Sequence, residues 1–381
     1  MSSDELSLAA ISAEEHAAFL ATRRDVSFMQ RPEWAQIKPA WRGLSLGWFS
    51  GGTQVGAALV LMRPAPVVRK SLAYLPDGPV IDFAEFAPER VLRTLAEYLR
   101  ANGAFALRLG PSVDSTTWKA VDVRKAMGSG TLEDLSQLAH SKNDSAADAV
   151  TAALQAQGFS HLDSGMDFAA GQPEYVARVP LVDADGNPLT MDQIMAGFSQ
   201  SARRETRQSL KAPLDIVVGG TEDMGRFHAL YSTTADRQDF TGRPLEYFTN
   251  LHRTLNAAQP GSCTLYIASH EGRDLAAAVR LRSGNRSWYV YGASSNEERK
   301  LNAPKALQHR MLSDALDEGC LYLDQGGVTP TLKRGDSHGG LSYFKTSMGC
   351  DVIRTVGEWE LPLNRLLSWG FDKFMAWREK H

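Results

Sequence analysis

The chain has 381 residues, 43% apolar and 22% charged, a globular composition that excludes disorder and, at roughly 150 residues per domain, predicts two sizeable domains. Its 41 basic and 44 acidic residues leave a net charge of −3, so any nucleic-acid contact must come from a local patch. Cys263, Cys320 and Cys350 stand 57 and 30 residues apart, which excludes a disulfide framework and a CxxC metal knuckle; nine scattered histidines show no metal-ligand spacing, so no metal is expected.

Taken in chain order, the N-terminus MSSDELSLAAISAEEH is acidic and lacks the basic start and apolar stretch of a signal peptide. The longest apolar run, Val55 to Met62, is too short to span a bilayer, so a cytoplasmic protein is expected. Gly51-Gly52 turns Ser45–Phe49 into Val55–Met62, a predicted hairpin. Pro88 starts a helix whose face is Val91, Leu92, Leu95, Ala96 and Leu99, and Asn102-Gly103 stops it. An apolar strand, Phe105–Leu109, follows. Ser112–Asp148 is polar and reads as an exposed inserted loop flanking a short helix. Val182–Pro188 (VDADGNP) begins like an EF-hand loop but lacks the later glutamate, so it reads as a turn.

Arg203, Arg207 and Lys211 are spaced i, i+4, i+8 with Arg204 beside them, a basic helical stripe suited to a polyanion through its phosphates. Glu271-Gly272 joins Thr264–Ser269 to Leu275–Arg282 as a second hairpin. In Trp288–Tyr291, alternation puts Tyr289 and Tyr291 on one face of a strand. Pro304 starts a helix with the face Leu307, Met311, Leu312, Ala315 and Leu316, ended by Gly319 and followed by the strand Leu321–Leu323. Leu363, Leu366, Leu367, Phe371, Phe374 and Trp377 form a C-terminal stripe, expected to pack back on the first domain, with a membrane surface as the alternative.

Three of these features recur in order. Residues 28–34 match 240–247 at an offset of 212, residues 52–61 match 272–281 at 220, and residues 103–110 match 319–326 at 216. Two copies of one α+β unit are expected, each a mainly antiparallel, mixed sheet flanked by helices, in an order that matches the GNAT acyltransferase fold.

Short stretches spread over the whole chain resemble the Fem family of aminoacyl-tRNA-dependent peptidoglycan aminoacyltransferases. They are Phe28, Gln30, Trp34 and Lys38 in FMQRPEWAQIK, Tyr74 to Asp82, Ala202 to Arg207, Arg237 to Arg243, Trp288 to Ser294, Asp324-Gln-Gly-Gly327, Tyr343 to Gly349 and Gly357 to Leu361. With no sustained heptad, the chain resembles the armless type. The resemblance implies two tandem GNAT-like domains, 1–178 plus 354–381 for precursor binding and 179–353 for aminoacyl transfer. It also implies a charged tRNA as donor, a nucleotide-linked or lipid-linked stem-peptide amine as acceptor, and peripheral contact at the membrane's inner face.

An aminoacyl ester is already activated, so its aminolysis needs positioning and an oxyanion partner, with no covalent nucleophile or cofactor. No Gly-x-Ser-x-Gly elbow, HExxH or Cys-His motif is present. By the resemblance, Phe344-Lys345 sits where the family stabilises the intermediate or holds the tRNA end, and a desolvated ammonium suits the oxyanion. Lys38, beside Trp34, and Arg243 are implied ligands of the precursor's diphosphate, with Tyr247, Tyr289 and Tyr291 as candidate pocket walls. Arg203, Arg204, Arg207 and Lys211 are assigned to tRNA. Asp82, Asp324 and Glu358 are candidate proton acceptors. Some relatives carry an aspartate after the strand Phe105–Leu109, where this chain has Gly110. Three rivals stay open: an acetyl-CoA N-acetyltransferase, disfavoured because Arg299–Pro304 has no glycine and Pro304 no amide hydrogen; a non-catalytic binder of tRNA or muropeptide; and aminoacylation of a natural-product amine.

Overall fold

The computed structural model describes residues 6–65, 68–140, 142–143, 145–162, 171–335 and 337–379. Two compact units emerge: residues 1–116, 142–174 and 354–381 in one, residues 117–141 and 175–353 in the other.

The first unit is built on a sheet in the order Ser7–Ala10, Arg42–Ser50, Thr53–Pro64, Ser71–Pro76, Ala104–Gly110, Glu358–Pro362, Ser160–Leu162. The Gly51-Gly52 hairpin forms as expected, both glycines at positive φ as a tight two-residue turn requires. Ser71–Pro76 and Ala104–Gly110 run parallel, linked by the helix Pro88–Ala101. That helix buries Val91, Leu92, Leu95 and Leu99 against Leu46, Val60, Leu75 and Leu107 of the sheet. Such side chains contribute about 1.5–3 kcal/mol each on burial.

The second unit repeats this plan. Its sheet runs Asp215–Gly219, Cys263–His270, Arg273–Ser283, Arg286–Ser294, Tyr322–Gly327, Tyr175–Pro180 and then Asp351–Thr355. The hairpin turn is Glu271-Gly272, again with two positive φ values. The parallel pair is Arg286–Ser294 with Tyr322–Gly327, joined by the helix Ala303–Asp317. Leu307, Met311, Leu312 and Ala315 of that helix bury themselves with Tyr266, Ala276, Ala278 and Leu323. The internal repeat therefore corresponds to two copies of one α+β topology. The copies differ in what fills the place after the parallel pair. In the first it is Glu358–Pro362, returning from the far end of the chain; in the second it is Tyr175–Pro180, from before it.

Three expectations are corrected. Ser112–Asp148 is not an exposed loop: it holds the strand Asp114–Trp118 and the helix Ala120–Ser129, and Trp118, Val123, Met127 and Leu135 are buried in the second unit's core. Polar composition concealed the apolar side of a short amphipathic helix. By contact, residues 117–141 and 175–178 sit with the second unit, although the sequence placed them in the first. The C-terminal stripe is split. Leu367 and Phe371 pack on Leu72, Phe105 and Ala106, Leu363 lies at the rim of the first core, and Leu366 is exposed. The side chains of Phe374 and Trp377 lie outside the described residues. Among the described residues no helix is long and apolar enough to cross a membrane.

Candidate active site

The second unit's parallel strands pair only from Arg286↔Tyr322 to Trp288↔Asp324, then part company although both continue. Beyond Asp324 comes Gln325-Gly326-Gly327, where Gly326 takes φ +80°. The buried Asp324 braces this turn: one carboxylate oxygen accepts the Gly326 amide at 2.7 Å, the other the Arg178 Nε at 3.0 Å. Its place in the sequence made it a candidate proton acceptor; its bonds give it a backbone-capping role.

Lys345 reaches this turn from the helix Ser337–Ser347. Its Nζ donates to the Gly327 carbonyl at 2.6 Å and stands 3.7 Å from where a Cβ on Gly326 would be, so a side chain there would meet the ammonium in ordinary contact. Burial pulls its pKa down to about 8, against an opposing pull from Cys350 and Asp324. It is therefore an ammonium at neutral pH that loses its proton within reach of it.

Phe344 turns outward, 45% exposed, with Lys305 Nζ 4.8 Å from its ring centre. Lys305 also lies 2.9 Å from the Met348 sulfur and 3.8 Å from a Glu205 carboxylate oxygen, and burial lowers its pKa. Glu205 belongs to the helix Gln200–Ser209, which also carries Arg203, Arg204 and Arg207. These arginines, with Lys211 just past the helix end, line one open cavity of about 680 Å³. The basic stripe and the Phe344-Lys345 pair, far apart in sequence, are thus joined through Glu205 and Lys305. Sequence reasoning missed Lys305, although a lysine in a helix's first turn opposes the helix dipole and is a readable oddity.

Arg124 was missed too, because its segment read as loop. It donates to the carbonyl of Thr346 and, at 3.1 Å, to that of Gly197, satisfying the end of the helix that carries Lys345. Lys119 and the backbone of Ala120 hold Asp351 nearby at 2.8 and 2.9 Å.

Arg243, Tyr247 and Tyr291 come together elsewhere in this unit. The Arg243 guanidinium lies 4.6 Å from the Tyr247 ring centre, and the two tyrosine hydroxyls are 3.0 Å apart. Phe248 backs Tyr291 edge-on at 5.0 Å. Burial raises the pKa of both tyrosines, so they are neutral hydrogen-bonding groups. Tyr289 does not join them. The register shifts between Val279↔Tyr291 and Arg280↔Tyr289, a bulge that places the two tyrosines on opposite faces. Tyr289 lies across Gly292, its hydroxyl occupying the place a Cβ would take, and burial raises its pKa to about 12.

In the first unit Trp34 is buried, edge-on to Phe28 at 5.0 Å, and Lys38 Nζ lies 4.5 Å from its ring centre. Gln30 holds this segment to the sheet: its side chain accepts from the Leu59 amide at 3.0 Å and donates to the Pro76 carbonyl at 2.5 Å. Asp82 accepts the Ala84 amide at 2.8 Å as a turn cap.

At Gly110 the structure shows what replaces the missing aspartate. A Cβ there would meet the Gln172 Oε1 and sit 3.1 Å from Glu358 Cγ, so the space is filled. Glu358 is buried and accepts the Tyr74 hydroxyl at 2.6 Å, and burial raises its pKa. Gln172 in turn accepts the Asp77 amide at 3.0 Å and donates to the Asp77 carboxylate.

Comparison with known proteins agrees with this architecture. The FemAB family profile matches residues 11–260 and 261–373, and the chain belongs to the FemAB family. A lipid II:glycine glycyltransferase of Staphylococcus haemolyticus (strain JCSC1435) is 22% identical, with 94% of this chain and 93% of the relative covered. A crystal structure of FemX superimposes with a TM-score of 0.77 at 20% identity, covering 95% of this chain and 98% of that one. A tandem GNAT protein from the clavulanic acid biosynthesis pathway gives 0.52 at 14% identity, covering 94% and 99%. The two structures establish the shared fold.

Proposed function

We propose that this protein is an aminoacyltransferase that moves an amino acid from aminoacyl-tRNA to the side-chain amine of a peptidoglycan stem peptide. Family membership over nearly the whole chain and the glycyltransferase relatives support the reaction class. The observation that carries the donor is the continuity of an exposed aromatic ring, two partly desolvated lysines and a basic helix.

The acceptor amine, free of its proton, attacks the ester carbonyl and the carbonyl oxygen becomes an oxyanion. Lys345 swings its ammonium from the Gly327 carbonyl to that oxygen, so the turn that holds it at rest also prepays its desolvation. The C–O bond to the ribose then breaks. The ribose oxygen takes one proton as the attacking nitrogen releases one, so none is gained or lost. No aspartate is available at Gly110, which favours a shuttle through substrate groups. Phe344 offers a stacking surface for the terminal base, and the Arg203, Arg204, Arg207 and Lys211 stripe takes the acceptor-stem phosphates. Lys38 in the first unit is assigned to the precursor's diphosphate, and Arg243 with Tyr247 and Tyr291 in the second unit is a precursor contact assigned by itself.

Acetyl-CoA is disfavoured as donor. The helix that follows the diverging strand opens with Asn302 at φ +53° and Pro304 in its first turn, with no side-chain cap and no glycine turn for a pyrophosphate. The deciding experiment incubates the protein with a panel of charged tRNAs and with nucleotide-linked pentapeptide, lipid-linked pentapeptide or small amines. A mass gain of one amino acid on the pentapeptide is expected. Transfer only to small amines, or acetyl transfer at a comparable rate, overturns the reading.

A further inference from the structure

The helix Arg365–Glu379 leaves a hydrophobic strip uncovered. Its inner side is anchored: Leu367 and Phe371 pack on Leu72, Phe105 and Ala106, and the Ser368 hydroxyl donates to the Phe105 carbonyl at 3.1 Å. This fixes the helix's rotation and holds Leu366 and Trp369 outward, 77% and 62% exposed. Ala65 packs on the same cluster and its amide donates to the Lys70 carbonyl at 2.9 Å, so exposed Val68, Arg69 and Lys70 adjoin the helix.

The charges around this strip are predominantly positive. Arg69 and Lys70 are exposed on the turn, and Arg365 and Lys373 are exposed on the helix. Segments 63–70 and 365–373 together hold five cations (Arg63, Arg69, Lys70, Arg365, Lys373) and one acid, Asp372, in a chain whose net charge is −3. A leucine and a tryptophan held outward in a collar of cations match the two demands of an anionic bilayer surface. The apolar side chains enter the headgroup boundary, where tryptophan is favoured, and the cations meet lipid phosphates. A second protein copy would bring a second set of the same cations against the first, so charge favours lipid over self-association.

We propose that this face of the first unit, centred on Leu366 and Trp369 with Val68, Arg69, Lys70 and Arg365 around them, seats the protein on an anionic membrane surface. The proposal is independent of the donor assignment and is read without any transfer assay.

The test floats the full-length protein with phosphatidylcholine vesicles, with and without 30 mol% phosphatidylglycerol, at low and high salt. Binding is expected only with the anionic vesicles and should weaken with salt. Leu366→Ser/Trp369→Ser and, separately, Arg69→Gln/Lys70→Gln should each weaken it by roughly tenfold or more. All four positions are exposed, so circular dichroism and melting temperature should match the parent. Failure of the parent to float, or flotation of both double variants equal to the parent's, overturns the proposal. So does a concentration-dependent dimer in solution that Leu366→Ser/Trp369→Ser abolishes while flotation is unchanged, which would assign the strip to a second copy.

Discussion

Lys345 titrates close to the pH at which it would have to work, and this makes its role separable. As an oxyanion partner it must be charged, so the ratio of parent to Lys345→Ala single-turnover rates, in which deprotonation of the acceptor amine cancels, should fall as pH rises through about 8; a ratio that rises through the same value would make it a base instead. Lys345→Ala should lower turnover by roughly two to three orders of magnitude, with Lys345→Arg restoring part. A normal chemical step at saturating charged tRNA in the alanine variant ends the catalytic assignment. Glu358 offers a second titration, of opposite sense to an exposed glutamate. Its folded-state pKa lies above the ordinary value, so the stability it contributes is present at low pH and lost as pH rises through the folded pKa. Glu358→Gln, which keeps an acceptor for Tyr74, should therefore melt above the parent at pH 8, and the difference should close near pH 4. A variant less stable at pH 8 would show that the charge itself is required. Lys38→Ala should weaken precursor binding by roughly 1.5–3 kcal/mol, about ten- to a hundredfold, and leave tRNA affinity alone; equal binding in calorimetry removes it from the site. Residue types and motif order were enough to nominate Lys345, Lys38 and Arg243. They could not reveal that Gln172 and Glu358 close the space at Gly110, because those side chains come from 62 and 248 residues further along the chain.

The Gln200–Ser209 helix is polar on one side and turns Ala202, Thr206 and Ser209 inward, so its arginines are fixed on the outer side. Changing Arg203, Arg204 and Arg207 together to alanine should raise the Michaelis constant for charged tRNA and flatten its dependence on salt, with little effect on folding. Unchanged tRNA kinetics would free the stripe from this role. Hairpins, both crossover helices and their caps were legible in the sequence, since glycine pairs, prolines and apolar periodicity are local signals. The strand carrying Tyr289 and Tyr291 was legible as a strand and illegible in its facing. A bulge is set by how the neighbouring strand is paired, and one extra residue reverses every side chain beyond it. The burial of the helix Ala120–Ser129 was missed for a similar reason: it comes from packing with the helix that bears Lys345 and with the second unit's core, and the polar residues around it hid an apolar side made of half its own residues.

The chain passes from one unit to the other after residues 116, 141, 174 and 353. A fragment cut at 178 would therefore lack Glu358–Pro362, which sits between Ala104–Gly110 and Ser160–Leu162 in the first sheet. A fragment 179–353 would lack the first four of the six residues of Tyr175–Pro180, an interior strand of the second. Each fragment alone should stay unfolded by circular dichroism, and a cooperative melt from either would contradict this topology. The return of residues 354–381 to the first unit was expected, but the repeat did not disclose that 117–141 and 175–178 belong to the second, because those segments fall outside the matching stretches.

That late strand also sets a timetable for synthesis. Ala104–Gly110 leaves the ribosome about 250 residues before the strand that covers its open edge, an interval of roughly 12 to 50 s at 5 to 20 residues per second. Through that interval a nearly uncharged, apolar strand, AFALRLG, offers an unpaired edge. The nascent chain should thus be a client for chaperones that shield strand edges. A chain that stops before Glu358 cannot close its first sheet, so the edge of Ala104–Gly110 would stay open.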